Sequence, residues 1–136
     1  MTVTSAAALQ AARMHMAGAF DWTRRDCLRG PVRAFRGLWG VDPLAGAELD
    51  YSGPVSALRL ARRFGGYEAW CRHHFTRNGL MPRDVPAPGD LVFLEFRPPF
   101  GIVLGLAIDA QVAAAQGAEG VRFHCGDIVG VMTCRS

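Results

Sequence analysis

The first half of the chain places apolar residues three or four positions apart, which is the period of an amphipathic helix. Each run ends at a glycine, and Thr4 or Ser5, Asp26 and Pro54 are typical of helix starts. The pattern predicts four helices, at about 6–17, 26–38, 54–64 and 67–75. The glycines that end them are Gly18, Gly40, the Gly65-Gly66 pair and Gly79.

The second half of the chain has a different pattern of residues. Pro82, Pro86 and Pro88 predict a stiff, extended connector. Short runs rich in β-branched and aromatic residues follow, separated by glycine or aspartate, and they predict strands at about 91–96, 101–108, 111–115, 121–124 and 128–133. Helices followed by an antiparallel meander predict an α+β fold. We expect one domain over 1–136, with a helical part at about 4–78, a proline-rich connector at about 79–90 and an antiparallel sheet at about 91–134.

Composition narrows the functional classes. The 136 residues suit one domain, and no apolar run approaches the roughly 18 residues that cross a bilayer. Residues 2–20 carry no basic leader followed by a continuous apolar stretch, so no signal peptide is expected. The net charge is +3, and the fifteen basic residues, all arginine, are scattered. Because nucleic-acid binding needs a basic stripe, we do not expect it.

The cysteines are read as reduced thiols. None of the four forms a Cys-x-x-Cys pair, and no secretion signal accompanies them. Cysteine and histidine come close together only at Cys71-Arg72-His73 and at His124-Cys125, and neither spacing is that of a structural zinc site. We therefore predict no metal and no cofactor.

Cys27 is the candidate nucleophile. Asp26 in front of it can cap a helix, and the helix N-terminus together with Arg24 and Arg25 would favour the reactive thiolate. Gly30-Pro31 permits another arrangement, in which the helix begins at Pro31 and Cys27 lies in the preceding loop. Cys27 can also be read as a small buried apolar residue without chemistry.

A cysteine that cleaves an amide also needs a group that takes up and returns a proton, and histidine is the usual choice. His124, on a late predicted strand, is the least unlikely substitute base. His15, His73 and His74 are expected to be surface or core histidines. Trp22, just before the cysteine, could wall a groove.

Several motifs carry a family resemblance. Asp26-Cys27 follows an aromatic, arginine-rich lead-in, and Pro88-Gly89-Asp90-Leu91-Val92-Phe93 and Gly101-Ile102-Val103-Leu104-Gly105 come later. In this order they resemble the NlpC-type, papain-like cell-wall peptidases. The resemblance implies a papain-like α+β fold with Cys27 at the nucleophile position. The histidine position of that family is held here by Pro99 or Phe100, and its third polar position by valine or alanine within 111–116. The resemblance therefore implies a domain without hydrolase activity.

A branch of that family found among bacteriophage and prophage tail genes shows a similar pattern, here Arg25-Asp26-Cys27, Asp42-Pro43, Tyr51 and Gly65-Gly66. The expected role is a structural component of a tail tip or baseplate, made in the host cytoplasm and carried in the virion tail. Its partners would be other tail proteins, and peptidoglycan is a further candidate. The alternatives are an active cysteine endopeptidase that cleaves peptidoglycan crosslinks, with Cys27 and a base such as His124, and a host-encoded binding module.

Overall fold

The structure is a computed structural model that describes residues 2–98 and 101–135. Four helices come first in the chain: α1 (Ser5–His15), α2 (Arg29–Trp39), α3 (Pro54–Arg62) and α4 (Tyr67–Arg77). Six strands follow: β1 (Met81–Arg83), β2 (Leu91–Glu95), β3 (Ile102–Ala107), β4 (Val112–Gln116), β5 (Val121–Cys125) and β6 (Ile128–Thr133). The predicted α+β class is confirmed. None of the described helices is both long and apolar enough to cross a membrane.

The helix ends follow from local chemistry. The Thr4 hydroxyl accepts a hydrogen bond from the Ala7 N–H at 3.1 Å and so caps α1. Gly40 ends α2 in the left-handed conformation, at φ +70°, which a residue without Cβ adopts at little cost. Each of the four helices lies where the hydrophobic pattern predicts it, and their ends differ from the prediction by at most three residues.

All strand pairs of the sheet are antiparallel, and the strand order is β1-β6-β2-β3-β4-β5. Strands β2 to β5 form the predicted meander, and β6 returns to lie between β1 and β2. The sequence did not predict β1, because Pro82 within it argues against a strand. A proline is nevertheless tolerated on an edge strand, and β1 is an edge that pairs only with β6.

The hydrophobic core joins the helices to one face of the sheet. Its largest fully buried side chains include Phe35, Phe75 and Phe93. A second, smaller cluster occupies the other face of the sheet and contains Val92, Leu94, Ala107, Ala113, Ala115 and Val131. Both faces of the central strands are therefore buried.

Asp90 ties the connector and the C-terminal strand to the sheet. Its buried carboxylate accepts hydrogen bonds from the Thr133 hydroxyl at 2.5 Å, from the Ala87 N–H at 2.9 Å and from Arg135 Nε at 3.1 Å. The preceding Gly89 has φ +88°, and a Cβ there would lie 3.0 Å from Val3 Cγ1. The Pro-Gly-Asp motif is thus a structural junction in this protein.

Replacing Asp90 should destabilise the protein strongly. Asp90→Ala leaves the largely buried Arg135 guanidinium and the Thr133 hydroxyl without their acceptor. We expect a loss of about 2–4 kcal/mol in the free energy of unfolding, measured by urea denaturation. The control is Asp84→Ala, an exposed carboxylate of the same connector. Equal stability of the two variants would contradict a junction at Asp90.

Candidate functional site

The segment around Cys27 is organised by Asp26. One carboxylate oxygen of Asp26 accepts hydrogen bonds from the backbone N–H of Leu28 at 3.1 Å and of Arg29 at 2.7 Å. The carbonyl of Asp26 accepts the first helical hydrogen bond, from the Gly30 N–H at 3.2 Å. Asp26 therefore stabilises the turn that leads into α2, and Cys27 lies in this turn, two residues before α2 begins at Arg29. The alternative start at Pro31 is wrong, because Pro31 is the third residue of α2.

The Asp26 carboxylate is fully buried, and the side chains of Arg29 and Tyr51 bind it. Arg29 Nη1 lies 3.0 Å from its second oxygen and also donates to the Trp22 carbonyl at 2.7 Å. The Tyr51 hydroxyl donates a short hydrogen bond to the same oxygen. The Arg29 guanidinium stands 4.5 Å from the centre of the Tyr51 ring. These contacts bind the 22–29 segment to the loop before α3.

This environment raises the pKa of the Cys27 thiol to about 12. Burial is the largest cause, and the charge of Asp26 is the second. A hydrogen bond from the Tyr67 hydroxyl acts in the opposite direction but does not compensate. The expectation of a thiolate is therefore wrong.

The physical reason is the placement of the charges. Arg24 is exposed, and Arg25 Nε donates to the Ala19 carbonyl at 2.9 Å. Neither arginine is among the groups that shift the Cys27 thiol. The charge that does reach the thiol is the negative one of Asp26, and desolvation of the thiol adds to its effect.

A small cavity of about 20 Å³ adjoins Cys27, which is room for about one water-sized molecule. Its lining includes Trp22, as the sequence suggested, and it is otherwise mostly apolar. The full set of lining residues is Trp22, Asp26, Cys27, Leu28, Tyr51, Ala57, Leu60, Ala61, Tyr67 and Trp70. Among the described residues, no strand contributes to this wall, so the cavity belongs to the helical part.

Two residues of α4 complete the surroundings of the thiol. Tyr67 and Cys71 are one helical turn apart, and the pKa of each is raised well above its usual value. Burial is the first cause for both groups, and the nearby Cys27 is the second. The sequence analysis missed this pair, although the four-residue spacing between Tyr67 and Cys71 places both on one face of α4.

The structure does not bring a described histidine into the lining of this cavity. His124 lies on the edge strand β5, paired with Ala113. His73 is exposed, whereas His74 is buried with its ring centre 4.6 Å from that of Trp70. Burial is the main cause that lowers the pKa of His74.

The remaining predicted positions lie elsewhere. His15 is on α1, and burial followed by the charge of Arg33 lowers its pKa. Pro99 and Phe100, at the histidine position of the resembling family, lie outside the described residues. The polar residue of β4 is Gln116, whose Nε2 donates to the Gly18 carbonyl at 2.9 Å. Within residues 2–98 and 101–135, no group of three or more metal-ligating side chains comes together.

Cys27 should resist alkylation. A thiol with a pKa near 12 is ionised in only about one molecule in ten thousand at pH 8, and iodoacetamide reacts with the thiolate. We expect native Cys27 to react at least about a hundredfold more slowly than the exposed Cys125, with both rates followed by mass spectrometry. Both thiols should react at similar rates in denaturant. Comparable rates in the native protein would contradict the raised pKa.

Asp26→Asn tests two effects of the carboxylate, one on the stability of the protein and one on the pKa of the Cys27 thiol. The amide retains a capping oxygen, but the largely buried Arg29 loses its counter-charge, so we expect a loss of about 3 kcal/mol in the free energy of unfolding. The same change removes the second cause of the raised thiol pKa, so alkylation of Cys27 should accelerate at a given pH. Burial remains, and the pKa should stay above its ordinary value.

The matched control is Asp21→Asn, an aspartate whose carboxylate accepts from the Thr23 N–H outside the buried network. We expect it to change neither stability by more than about 0.5 kcal/mol nor the alkylation rate of Cys27. If Asp21→Asn and Asp26→Asn behave alike, the buried carboxylate does not control the thiol.

Comparison with known proteins gives one match. The family model described as Domain of unknown function (DUF6950) matches residues 3–133, a range that contains every helix and strand and the whole environment of Cys27. No curated protein and no solved structure matches the chain.

Proposed function

We propose that this chain, which belongs to the DUF6950 family, is a structural component of a bacteriophage or prophage tail tip or baseplate. It would have the papain-like fold of the NlpC-type cell-wall peptidases without their hydrolase activity. Its role would be to hold neighbouring tail proteins in place, and the buried network around Cys27 would serve stability.

The observation that carries the proposal is the state of the Cys27 thiol. A peptidase of this class attacks as thiolate, so it needs a lowered pKa and an accessible sulfur. Here burial and Asp26 raise the pKa to about 12, and the adjoining cavity of about 20 Å³ has no room for a peptide. Both properties favour a thiol that packs over one that reacts.

Within residues 2–98 and 101–135, no suitable proton carrier lies around the thiol, which supports the same conclusion. Cleavage of an amide requires a group that protonates the leaving amine, and its pKa must lie near the working pH. The described titratable groups around the thiol are Asp26, Tyr51, Tyr67 and Cys71, and burial raises the pKa of both tyrosines above its usual value. A neutral phenol of this kind donates a hydrogen bond but does not accept a proton from the thiol.

The link to phage tails rests on the resemblance of particular motifs, and two of these motifs lie near the site. Tyr51 binds Asp26. The Asp42 carboxylate accepts from the Leu44 N–H at 3.0 Å and turns the chain after α2. Gly65 and Gly66, at φ +96° and +128°, make the turn that brings α4 to the thiol. Tyr51 and the Gly65-Gly66 turn thus help to build the surroundings of Cys27.

A digestion experiment tests the enzymatic part of this proposal. Purified protein incubated with crosslinked peptidoglycan should release no peptides above the level given by Cys27→Ala, because the thiol stays protonated. Released peptides are measured by chromatography with mass detection. Release that depends on Cys27 would establish the alternative, an active endopeptidase.

The proposed role in tail assembly is tested by a separate experiment. Mass spectrometry of purified phage particles from a strain that encodes the protein should detect the chain in the tail fraction. A gene position among tail genes is expected as well. A host operon without tail genes, together with absence from the particles, would favour a host-encoded binding module instead.

A further inference from the structure

The two edge strands of the sheet differ in how well they are protected against pairing with another chain. An edge strand has unpaired backbone N–H and C=O groups, and proteins usually blunt such an edge with a proline, a bulge or a very short strand. Strand β1 has three residues, contains Pro82 and pairs with β6. Strand β5 has five residues without a proline and keeps one register with β4 throughout. Of the two edges, β5 is therefore the unprotected one.

The register of β4 and β5 shows which backbone groups of β5 point outwards. In an antiparallel pair, opposite residues that exchange hydrogen bonds alternate with opposite residues that do not. At one end of this pair, the Gly117 N–H donates to the Gly120 carbonyl at 2.7 Å. At the other end, the Gly126 N–H donates to the Gln111 carbonyl at 3.1 Å. Both ends fix the same alternation along β5.

Counting in steps of two from either end sorts the residues of β5. Arg122 and His124 hydrogen-bond to β4, whereas the backbone groups of Val121, Phe123 and Cys125 point away from the sheet. Within residues 2–98 and 101–135, no backbone group outside β4 is hydrogen-bonded to β5. Three residues of β5 thus offer free backbone donors and acceptors in one row.

The same three residues form an apolar surface beside this row. Phe123 lies opposite Ala114 of the core, and successive side chains alternate between the faces of a sheet, so Val121, Phe123 and Cys125 share the face that carries the helices. Val121 packs partly against the core, whereas Phe123 is 48% exposed and Cys125 is exposed. The free edge is therefore apolar on this face.

The charged side chain of β5 does not shield the edge. Arg122 lies on the other face and leans towards β4, because a Cβ on Gly117 would lie 2.4 Å from Arg122 Cγ. His124 on the same face is half-buried. The outer edge consequently has the backbone and the surface that an added strand requires.

We propose that two copies of this chain pair through β5, antiparallel and centred on Phe123, so that their six-stranded sheets become one continuous sheet. In this register Phe123 of each copy exchanges two hydrogen bonds with Phe123 of the other. Val121 exchanges hydrogen bonds with Cys125 of the other copy at both ends. One register therefore satisfies the whole row of free groups. The contact is isologous, and it closes at the dimer.

The side chains favour a second copy of β5 as the added strand. The two Phe123 rings lie across from each other on the two-fold axis, and an aromatic cross-strand pair stabilises a sheet. Val121 of one copy lies opposite Cys125 of the other, so apolar residues meet on this face. On the other face Arg122 lies opposite His124, so the register does not place two arginines together.

The pairing goes beyond the proposed role in phage tails and does not depend on it. The edge would be equally free in an active peptidase with this fold. Peptidoglycan digestion therefore tests the role, and the experiments below test the pairing, so either proposal can fail alone.

Sedimentation velocity at several protein concentrations tests the dimer. The contact is small, so we expect mostly dimer at about 0.5 mM and monomer at about 5 µM. Phe123→Lys should be monomeric at both concentrations, because it removes the aromatic pair and places two like charges on the axis. The matched control Phe96→Lys alters another exposed phenylalanine by the same charge and should leave the dimer unchanged. A monomeric wild type at 0.5 mM, or equal loss of the dimer in both variants, would overturn the proposal.

Hydrogen exchange followed by NMR tests the register. The amides of Val121, Phe123 and Cys125 should exchange at least about fivefold more slowly at 0.5 mM than at 50 µM protein, because they are bonded only in the dimer. The amides of Arg122 and His124 should be protected at both concentrations. Unchanged exchange of the three outward amides would contradict the pairing. Protection that appears only when a purified tail fraction is added to the monomeric chain would assign the edge to another protein and also overturn the dimer.

Two proline variants separate the outward from the inward hydrogen bonds. Phe123→Pro removes an N–H that is free in the monomer, so the variant should fold and lose the dimer. His124→Pro removes a hydrogen bond to Ala113 of β4, so it should unfold at a lower urea concentration than the wild type. Unfolding of Phe123→Pro together with a stable His124→Pro would show the opposite alternation and exclude this register.

Discussion

The buried carboxylate of Asp26 is the constraint on which the helical part depends. An ionised group without solvent is tolerated only when hydrogen bonds and an opposite charge replace the lost water. Two backbone N–H groups, the Arg29 guanidinium and the Tyr51 hydroxyl meet this need, and the same guanidinium binds the Trp22 carbonyl. Satisfying one carboxylate therefore fixes the start of α2, the preceding turn and the loop before α3 at the same time.

The same constraint decides the chemistry of the neighbouring cysteine. A charge that stabilises the start of a helix also acts on the thiol one residue later, and it raises the pKa of that thiol because two negative charges repel. A helix N-terminus ordinarily has the opposite effect on a cysteine. In this protein burial and Asp26 outweigh it, so the feature that predicts a nucleophile from the sequence also accounts for the protonated thiol in the structure.

Local rules were enough to predict much of the fold. Thr4, Asp26 and Gly40 act on residues a few positions away, and helix caps of this kind can be read from a sequence. The return of β6 to the centre of the sheet depends on pairing between distant segments, and no local pattern encodes it. The candidate site shows the same difference between local features and contacts that join distant segments. Asp26 as a cap was predictable, whereas the approach of Tyr67 and Cys71 to Cys27 requires the packing of α4 and was not.

Asp90 repeats, in the sheet, the arrangement that Asp26 makes among the helices. Each is a buried aspartate that binds an arginine, a hydroxyl group from a distant segment and at least one nearby backbone N–H group. Such a pair of junctions links separate segments in both parts of the domain, and loosening either one exposes an uncompensated charge. A peptidase would need an open cleft at Cys27, whereas the cavity beside this thiol has a volume of only about 20 Å³.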